Sequence, residues 1–316
     1  MIRHRIDAHA LTLALRSGVA DVVAENDLPG LSDAVARSHQ LHRSQLTSAA
    51  PSKSQSKAGA IVTVFSAKGG CGKTTVSTNL AVHIASRSEQ RVVLVDLDLA
   101  FGDVAITMQL QPVHTIEAAI ELRDSIDSTA VNAMLSRHPS GVQVLTAPSR
   151  PAASDQITPE LVARILTVLR TEFDVVVVDC PPALDERVLA CLDVTTSLIM
   201  LTTLDVPALK NLALAQRTVV DLGFDADNIR IALNRADSKV GLRLPDVEST
   251  LGTNIDVLIP SSIDVPTAAN AGEVLTSAQP RHPVSCAIGQ LAELVTSAPM
   301  STSPSRERRS WIRRAS

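Results

Sequence analysis

The stretch Lys68-Gly69-Gly70-Cys71-Gly72-Lys73-Thr74-Thr75 constrains the fold more than any other part of the chain. A β-branched, apolar run (Ile61 to Phe65) leads into it, and a helical pattern (Val76 to Ser86) leads out. Glycines at this density let the backbone bend so that successive N–H groups converge on one point. The N-terminus of the following helix adds partial positive charge at the same point. Strand, loop and helix in this order make a cradle for phosphate, with Lys73 in reach of β- and γ-phosphates and the Thr74 hydroxyl able to ligate Mg²⁺. The general pattern G-x-x-x-x-G-K-[ST] asks for glycine at position 67, where this chain has Ala67.

The surrounding sequence alternates in a way that suits such a cradle. Apolar runs at Ile61–Phe65, Val92–Val95, Val142–Leu145, Val175–Val178, Ser197–Thr202 and Ile229–Leu233 are separated by helical stretches. This predicts an α/β fold of the P-loop NTPase type, mostly parallel, with helices on both faces of the sheet. In such sheets, ligands bind beyond the carboxyl ends of the strands. Two runs end in carboxylates there: Val92 to Val95 is followed by Asp96-Leu97-Asp98, and Val175 to Val178 by Asp179-Cys180-Pro181-Pro182. The second reads as a Walker B strand, with Asp179 holding Mg²⁺ through water.

The early lysine and Ala67 resemble the deviant Walker A loop of the ParA/MinD family of ATPases, and the Asp-x-Pro-Pro ending at Asp179 is typical of the same family. The resemblance covers residues 60 to about 295. It implies ATP and Mg²⁺ as cofactors, slow hydrolysis, and a homodimer in the ATP state, with Lys68 crossing the interface to the partner's nucleotide. Gly69, Gly70, Cys71, Gly72, Lys73, Thr74 and Thr75 would hold the phosphates. Asp98 would position the attacking water, and Asp96, with Thr74 and Asp179, would serve the Mg²⁺ shell. Asn234 and Arg235, which follow the Ile229–Leu233 run, would meet adenine. The stretch Ile259-Pro260-Ser261-Ser262-Ile263-Asp264 resembles the other wall of that pocket, through Pro260 and Asp264, although Asp264 also reads as a helix cap.

Within the family, five stretches look like the CpaE/TadZ branch, which helps to localise and assemble Flp/Tad-type pili. They are Asp96 to Asp103, Arg137 to Gly141, Leu184 to Arg187, Thr203 to Lys210 and Asn234 to Ser238. The resemblance therefore implies a dimerisation switch that positions a pilus, secretion or division machine through protein partners. Two alternatives stay open: a DNA-partitioning ATPase that binds nonspecific DNA as an ATP dimer, and a nucleotide-binding scaffold that does not hydrolyse.

Organisation follows composition. Residues 1–46 read helix, short strand (Val19 to Ala24), helix, either a remnant similar to the end of a receiver domain or an unrelated appendage, and are too short for an independent core. Either the start is truncated or misassigned, or this remnant docks on the ATPase. Residues 47–58 read as a linker, 59–297 as the ATPase domain, and 298–316 as a Ser/Arg-rich tail. Arg306 to Arg314 holds five arginines and one glutamate beside the lone Trp311. This segment is read as a solvated tail or as a weak contact with an anionic membrane. Lys210 and Arg217, seven apart on an expected helix, suit a solvated or a partner-binding face.

Composition removes several relatives. No cysteine lies between Cys71 and Cys180 and there is no C-x-x-C pair, so a cluster shared across a dimer, as in the nitrogenase-type members, would lack ligands, and Cys180 and Cys191 are better read as core residues. The absence of tyrosine removes the tyrosine-kinase reading. A net charge of −4 leaves no overall polycation for nucleic acid. The cysteine usage and the lack of a secretory or membrane-spanning run point to a cytoplasmic protein, and the family resemblance implies a peripheral place at the inner membrane face or a cell pole as one address for it.

Overall fold

The computed structural model describes residues 58–123, 125–238 and 241–296, together with two short strands, Ile2–Arg3 and Val23–Ala24. The chain divides into two units, Met1–Lys57 and Ala58–Ser316. In the first, the two short strands pair in parallel, Ile2 opposite Val23; Val23–Ala24 falls in the run Val19 to Ala24 that reads as a strand, and Ile2–Arg3 is not expected. The helices expected on either side of that run, most of the linker and the arginine tail lie outside the described residues.

The second unit is an eight-stranded sheet. Its strands are β1 (Ala60–Phe65), β2 (Val92–Asp96), β3 (Ser136–Arg137), β4 (Gln143–Leu145), β5 (Val175–Asp179), β6 (Ser197–Thr203), β7 (Ile229–Asn234) and β8 (Val257–Ile259). They lie in the order β8-β7-β6-β1-β5-β2-β4-β3, parallel except for β3, which pairs antiparallel with β4. The connecting helices include α1 (Lys73–Arg87), α2 (Val104–Thr107), α3 (Ser128–Ala133), α4 (Pro159–Glu172), α5 (Glu186–Val194), α6 (Val206–Asp221), α7 (Leu244–Leu251), α8 (Asp264–Asn270), α9 (Leu275–Ala278) and α10 (Pro283–Thr296). All six expected strands form, most of them a residue longer at one end. Strands β3 and β8, at the two edges, were not expected.

Alternate residues of the central strands feed two cores. Ile61, Phe65, Val93, Val95, Val176 and Val178 pack on one face of the sheet. Val62, Val64, Val92, Leu94, Val175 and Val177 pack on the other. This two-residue period makes every central strand apolar on both sides, as a sheet covered by helices requires. Each such side chain, fully withdrawn from water, contributes about 1.5–3 kcal/mol. Polar Thr63 is tolerated inside because its hydroxyl bonds Thr195 Oγ1 at 2.7 Å, with Cys191 Sγ at 3.5 Å. Cys180 and Cys191 are both fully buried in this core. Among the described residues, no helix is long and apolar enough to cross a membrane.

Candidate functional site

The loop after β1 folds as its glycines allow. Gly70 and Gly72 take φ of +77° and +95°, in the left-handed region open to glycine. Gly72 ends the loop directly before α1, where an added Cβ would lie 2.5 Å from Asn234 Nδ2. That close approach has a purpose: Asn234, at the end of β7, donates Nδ2–H to the Cys71 carbonyl at 2.9 Å. Its Oδ1 accepts the Arg235 N–H at 3.0 Å. The first turn of α1 is braced as well. Asn79 donates to the Thr75 carbonyl at 2.9 Å and accepts the Thr276 N–H at 2.9 Å, which ties α1 to α9.

On one flank of the loop stand the carboxylates. Asp179 closes β5, in register with Val64 of β1 and Asp96 of β2. Thr74 Oγ1 donates to Asp179 Oδ2 at 2.6 Å, and Ser77 Oγ donates to Oδ1 at 3.0 Å. Burial pushes the Asp179 carboxyl up to about 6, against the pull of those two hydroxyls and of Lys73. Lys73 itself is buried.

Asp96 is held well above the usual carboxylate range, by burial first and then by the neighbouring Asp179. Its oxygens accept the N–H groups of Asp98 and Val104, both at 3.2 Å. A Cβ on Gly102 would collide with its Oδ2, so glycine lets the chain close over it. Asp96 therefore fastens the loop that carries Asp98, and its observed contacts are to that backbone. Asp98 is half-buried, and its Oδ1 accepts the Phe101 N–H at 3.2 Å.

Lys68 lies on the other flank. Its Nζ meets Asp205 Oδ1 at 2.7 Å, and Thr203 Oγ1 donates to Oδ2 at 2.7 Å. Asp205 also caps α6 by accepting the Ala208 N–H at 3.0 Å. The slight burial of its carboxyl acts to raise it, but the bonds from Lys68, Thr203 and Ala208 win and hold it below the ordinary value.

Beyond Asn234 opens a cavity of about 560 Å³, lined by Gly72, Thr75, Asn234, Arg235 and Pro260 among others, with Val284 and Ile288 of α10 behind them. Its size suits a small ligand. Asp264 does not line it. That carboxylate faces Ser262 Oγ at 3.4 Å and His282 Nε2 at 3.3 Å. His282 Nδ1 accepts the Val284 N–H at 3.1 Å, so the ring hydrogen sits on Nε2, toward Ser262 and Asp264.

The structure thus gathers Lys73, Thr74, Asp96, Asp98 and Asp179 on one flank and Asn234, Arg235 and Pro260 on the other. A hydroxyl and a carboxylate are hard oxygen donors that suit Mg²⁺, which keeps several waters of its own. Sequence reasoning left out Ser77, Asn79 and the pairing of Lys68 with Asp205. Ser77 had a signal, lying three residues after Thr74 on the same helical face.

Comparison with known proteins follows the same outline. A family described as an AAA domain matches residues 59–226. The septum site-determining protein MinD of Thermotoga maritima is 27% identical over 221 residues, which cover 68% of this chain and 80% of that protein. Among solved structures, a ParA family ATPase from Chlorobium tepidum TLS superposes with a TM-score of 0.69 at 22% identity, covering 74% of this chain and 99% of that one. The MinD of Pyrococcus horikoshii OT3 complexed with Mg-ADP gives 0.65 at 20% identity, over 74% and 95%. At these identities the two structures speak for the fold.

Proposed function

The chain belongs to the AAA domain family as a ParA/MinD-type P-loop ATPase, and from that membership we propose that it is an ATP-binding, slowly hydrolysing dimerisation switch. It positions or assembles a cell-envelope machine, a Flp/Tad-type pilus or secretion system, or regulates division-site placement. The observation that carries this reading is the 2.6 Å bond from Thr74 to Asp179, which joins the phosphate loop to the strand-end carboxylate 105 residues away.

Each residue has a part in it. Lys73 and the loop N–H groups hold the phosphates, while Thr74 and Asp179 hold Mg²⁺. The bound ion would neutralise charge on the β- and γ-phosphate oxygens. Asp98 orients the attacking water, and Asp96 steadies the loop beneath it. Arg235 and Pro260 flank the nucleoside. Lys68 leaves Asp205 to reach the partner's nucleotide. The Mg-ADP bound by the Pyrococcus horikoshii relative supports the choice of nucleotide and metal, and the septum-site role named for the Thermotoga relative supports positioning as the output. The five CpaE/TadZ-like stretches favour a pilus machine. Residues 59–297 form the ATPase domain in this reading.

Light scattering on the full chain with ATP, ADP or neither tests the switch. We expect dimers with ATP alone, and monomers for Lys68→Ala under the same conditions. Dimers of Lys68→Ala at the parent's ATP concentration would overturn it. Co-sedimentation with anionic liposomes or plasmid DNA then separates addresses: ATP-dependent pelleting with DNA would move the chain to the partitioning class.

A further inference from the structure

We propose that Ser77 is a positioning residue for the divalent cation, fixing the plane of the Asp179 carboxylate so that one oxygen is committed to the metal. The inference rests on the reading of Thr74 and Asp179 as the Mg²⁺ site and names a residue which that reading does not use.

A carboxylate at the end of a strand is not fixed by burial alone. The terminal torsion of aspartate is broad and roughly two-fold, so either oxygen could turn to the crevice. In this chain two hydroxyls from one turn of α1 take opposite oxygens of Asp179. Thr74 takes Oδ2 at 2.6 Å and Ser77 takes Oδ1 at 3.0 Å. Thr74 opens the helix beside the phosphate loop and is partly accessible, whereas Ser77 is fully buried. Oδ1 is therefore held from the protein side, and Oδ2 is left for whatever binds at Thr74.

The hydroxyl of Ser77 is directed to this task against its usual alternative. Serine and threonine inside a helix commonly bond back to the carbonyl three or four residues earlier. The adjacent Thr78 does so, donating to the Thr74 carbonyl at 2.8 Å. Ser77 instead sends its proton across to β5, over a separation of 102 residues. Serine is also a mediocre helix former, so local propensity gives no reason for it at this buried position. The bond to Asp179 does. Partners behind a metal-binding carboxylate typically change metal affinity by about 10–100-fold when removed.

The test separates metal positioning from plain structural support. A fluorescent ADP analogue is titrated into the full chain in EDTA, and the bound complex is then titrated with Mg²⁺. For Ser77→Ala we expect binding in EDTA close to that of the parent, while the Mg²⁺ concentration for half-maximal tightening rises by about tenfold or more. Ser77→Thr, which keeps the hydroxyl, should bring the midpoint back toward the parent. If Ser77→Ala does not fold, Ser77→Cys, with a weaker donor, should shift the midpoint in the same direction. An unchanged Mg²⁺ midpoint in a folded variant, whatever happens to its melting temperature, would overturn the proposal. A parent that binds the analogue with no response to Mg²⁺ would instead overturn the underlying metal-site reading, and this inference with it.

Discussion

The two flanks of the phosphate loop are built on opposite terms. On the β5–β2 side, Asp179 and Asp96 are almost wholly buried and raised above the usual carboxylate range. On the β6 side, Lys68 and Asp205 pair with side chains 42% and 35% exposed. A buried carboxylate answers to protons and metal ions, because its surroundings exclude salt and favour its neutral form. A half-exposed ion pair answers to salt and is easily exchanged for another partner. The carboxylate flank is thus fixed by burial and the lysine flank by a contact that solvent weakens, the division that the proposed switch would use.

The largest effect expected from this contrast is a pH dependence. Asp179 is raised from an ordinary 3.8 to about 6 in the folded chain. Its contribution to stability is therefore fully present below the unfolded value and is lost as pH rises through about 6. Linkage puts that loss on the order of 3 kcal/mol, and Asp96 acts in the same direction. Denaturant unfolding of the nucleotide-free chain from pH 4 to 8 should show it, and Asp179→Asn should flatten the decline. Asp179→Asn should also abolish the response of nucleotide binding to Mg²⁺. A profile equally steep in the variant would mean that Asp179 is not the buried acid responsible.

Next in size is Gly72→Ala. A side chain at φ +95° costs about 1–2 kcal/mol. The new Cβ must also displace Asn234 Nδ2 and its bond to the Cys71 carbonyl, a further loss of about 1 kcal/mol. Because the two residues touch, Gly72→Ala combined with Asn234→Ala should cost less than the two changes added together. Strict additivity in a double-mutant cycle would remove Asn234 from its place as the splint of the loop.

These contacts mark the limit of what the sequence discloses. The sheet was legible because β-branched runs such as Val175 to Val178 fill both faces with apolar groups and admit few other structures. Strand β8 was not: it has three residues, and Leu258 between two buried neighbours is exposed, so neither run length nor periodicity stands out. Strand β3 is a two-residue edge that exists only through its pairing with β4. In the site, the loop and its carboxylates were legible because their spacing along the chain carries the chemistry. The partner of Lys68 was not, since Asp205 lies 137 residues on and nothing local joins them. The neighbours of Asp264 in sequence lead to the expectation that it meets a nucleoside, yet it does not line the cavity beside Asn234 and its contacts are with Ser262 and His282.

The smallest effect belongs to that lysine pair. Screened by solvent, the contact between Lys68 and Asp205 contributes about 0.5 kcal/mol. Asp205→Asn keeps a residue able to cap α6, so the melting temperature should barely move. The same change removes the charge that holds Lys68 at home. If Lys68 must leave Asp205 before it can meet a partner's nucleotide, dimerisation of Asp205→Asn should need less ATP than that of the parent. The gain should be no more than about twofold to threefold, because roughly 0.5 kcal/mol is released. Raising the salt concentration should narrow the difference, since salt weakens the same pair in the parent. A variant that needs more ATP would show that Asp205 serves the dimer itself, and that the exposed flank is part of the assembled site rather than its resting latch.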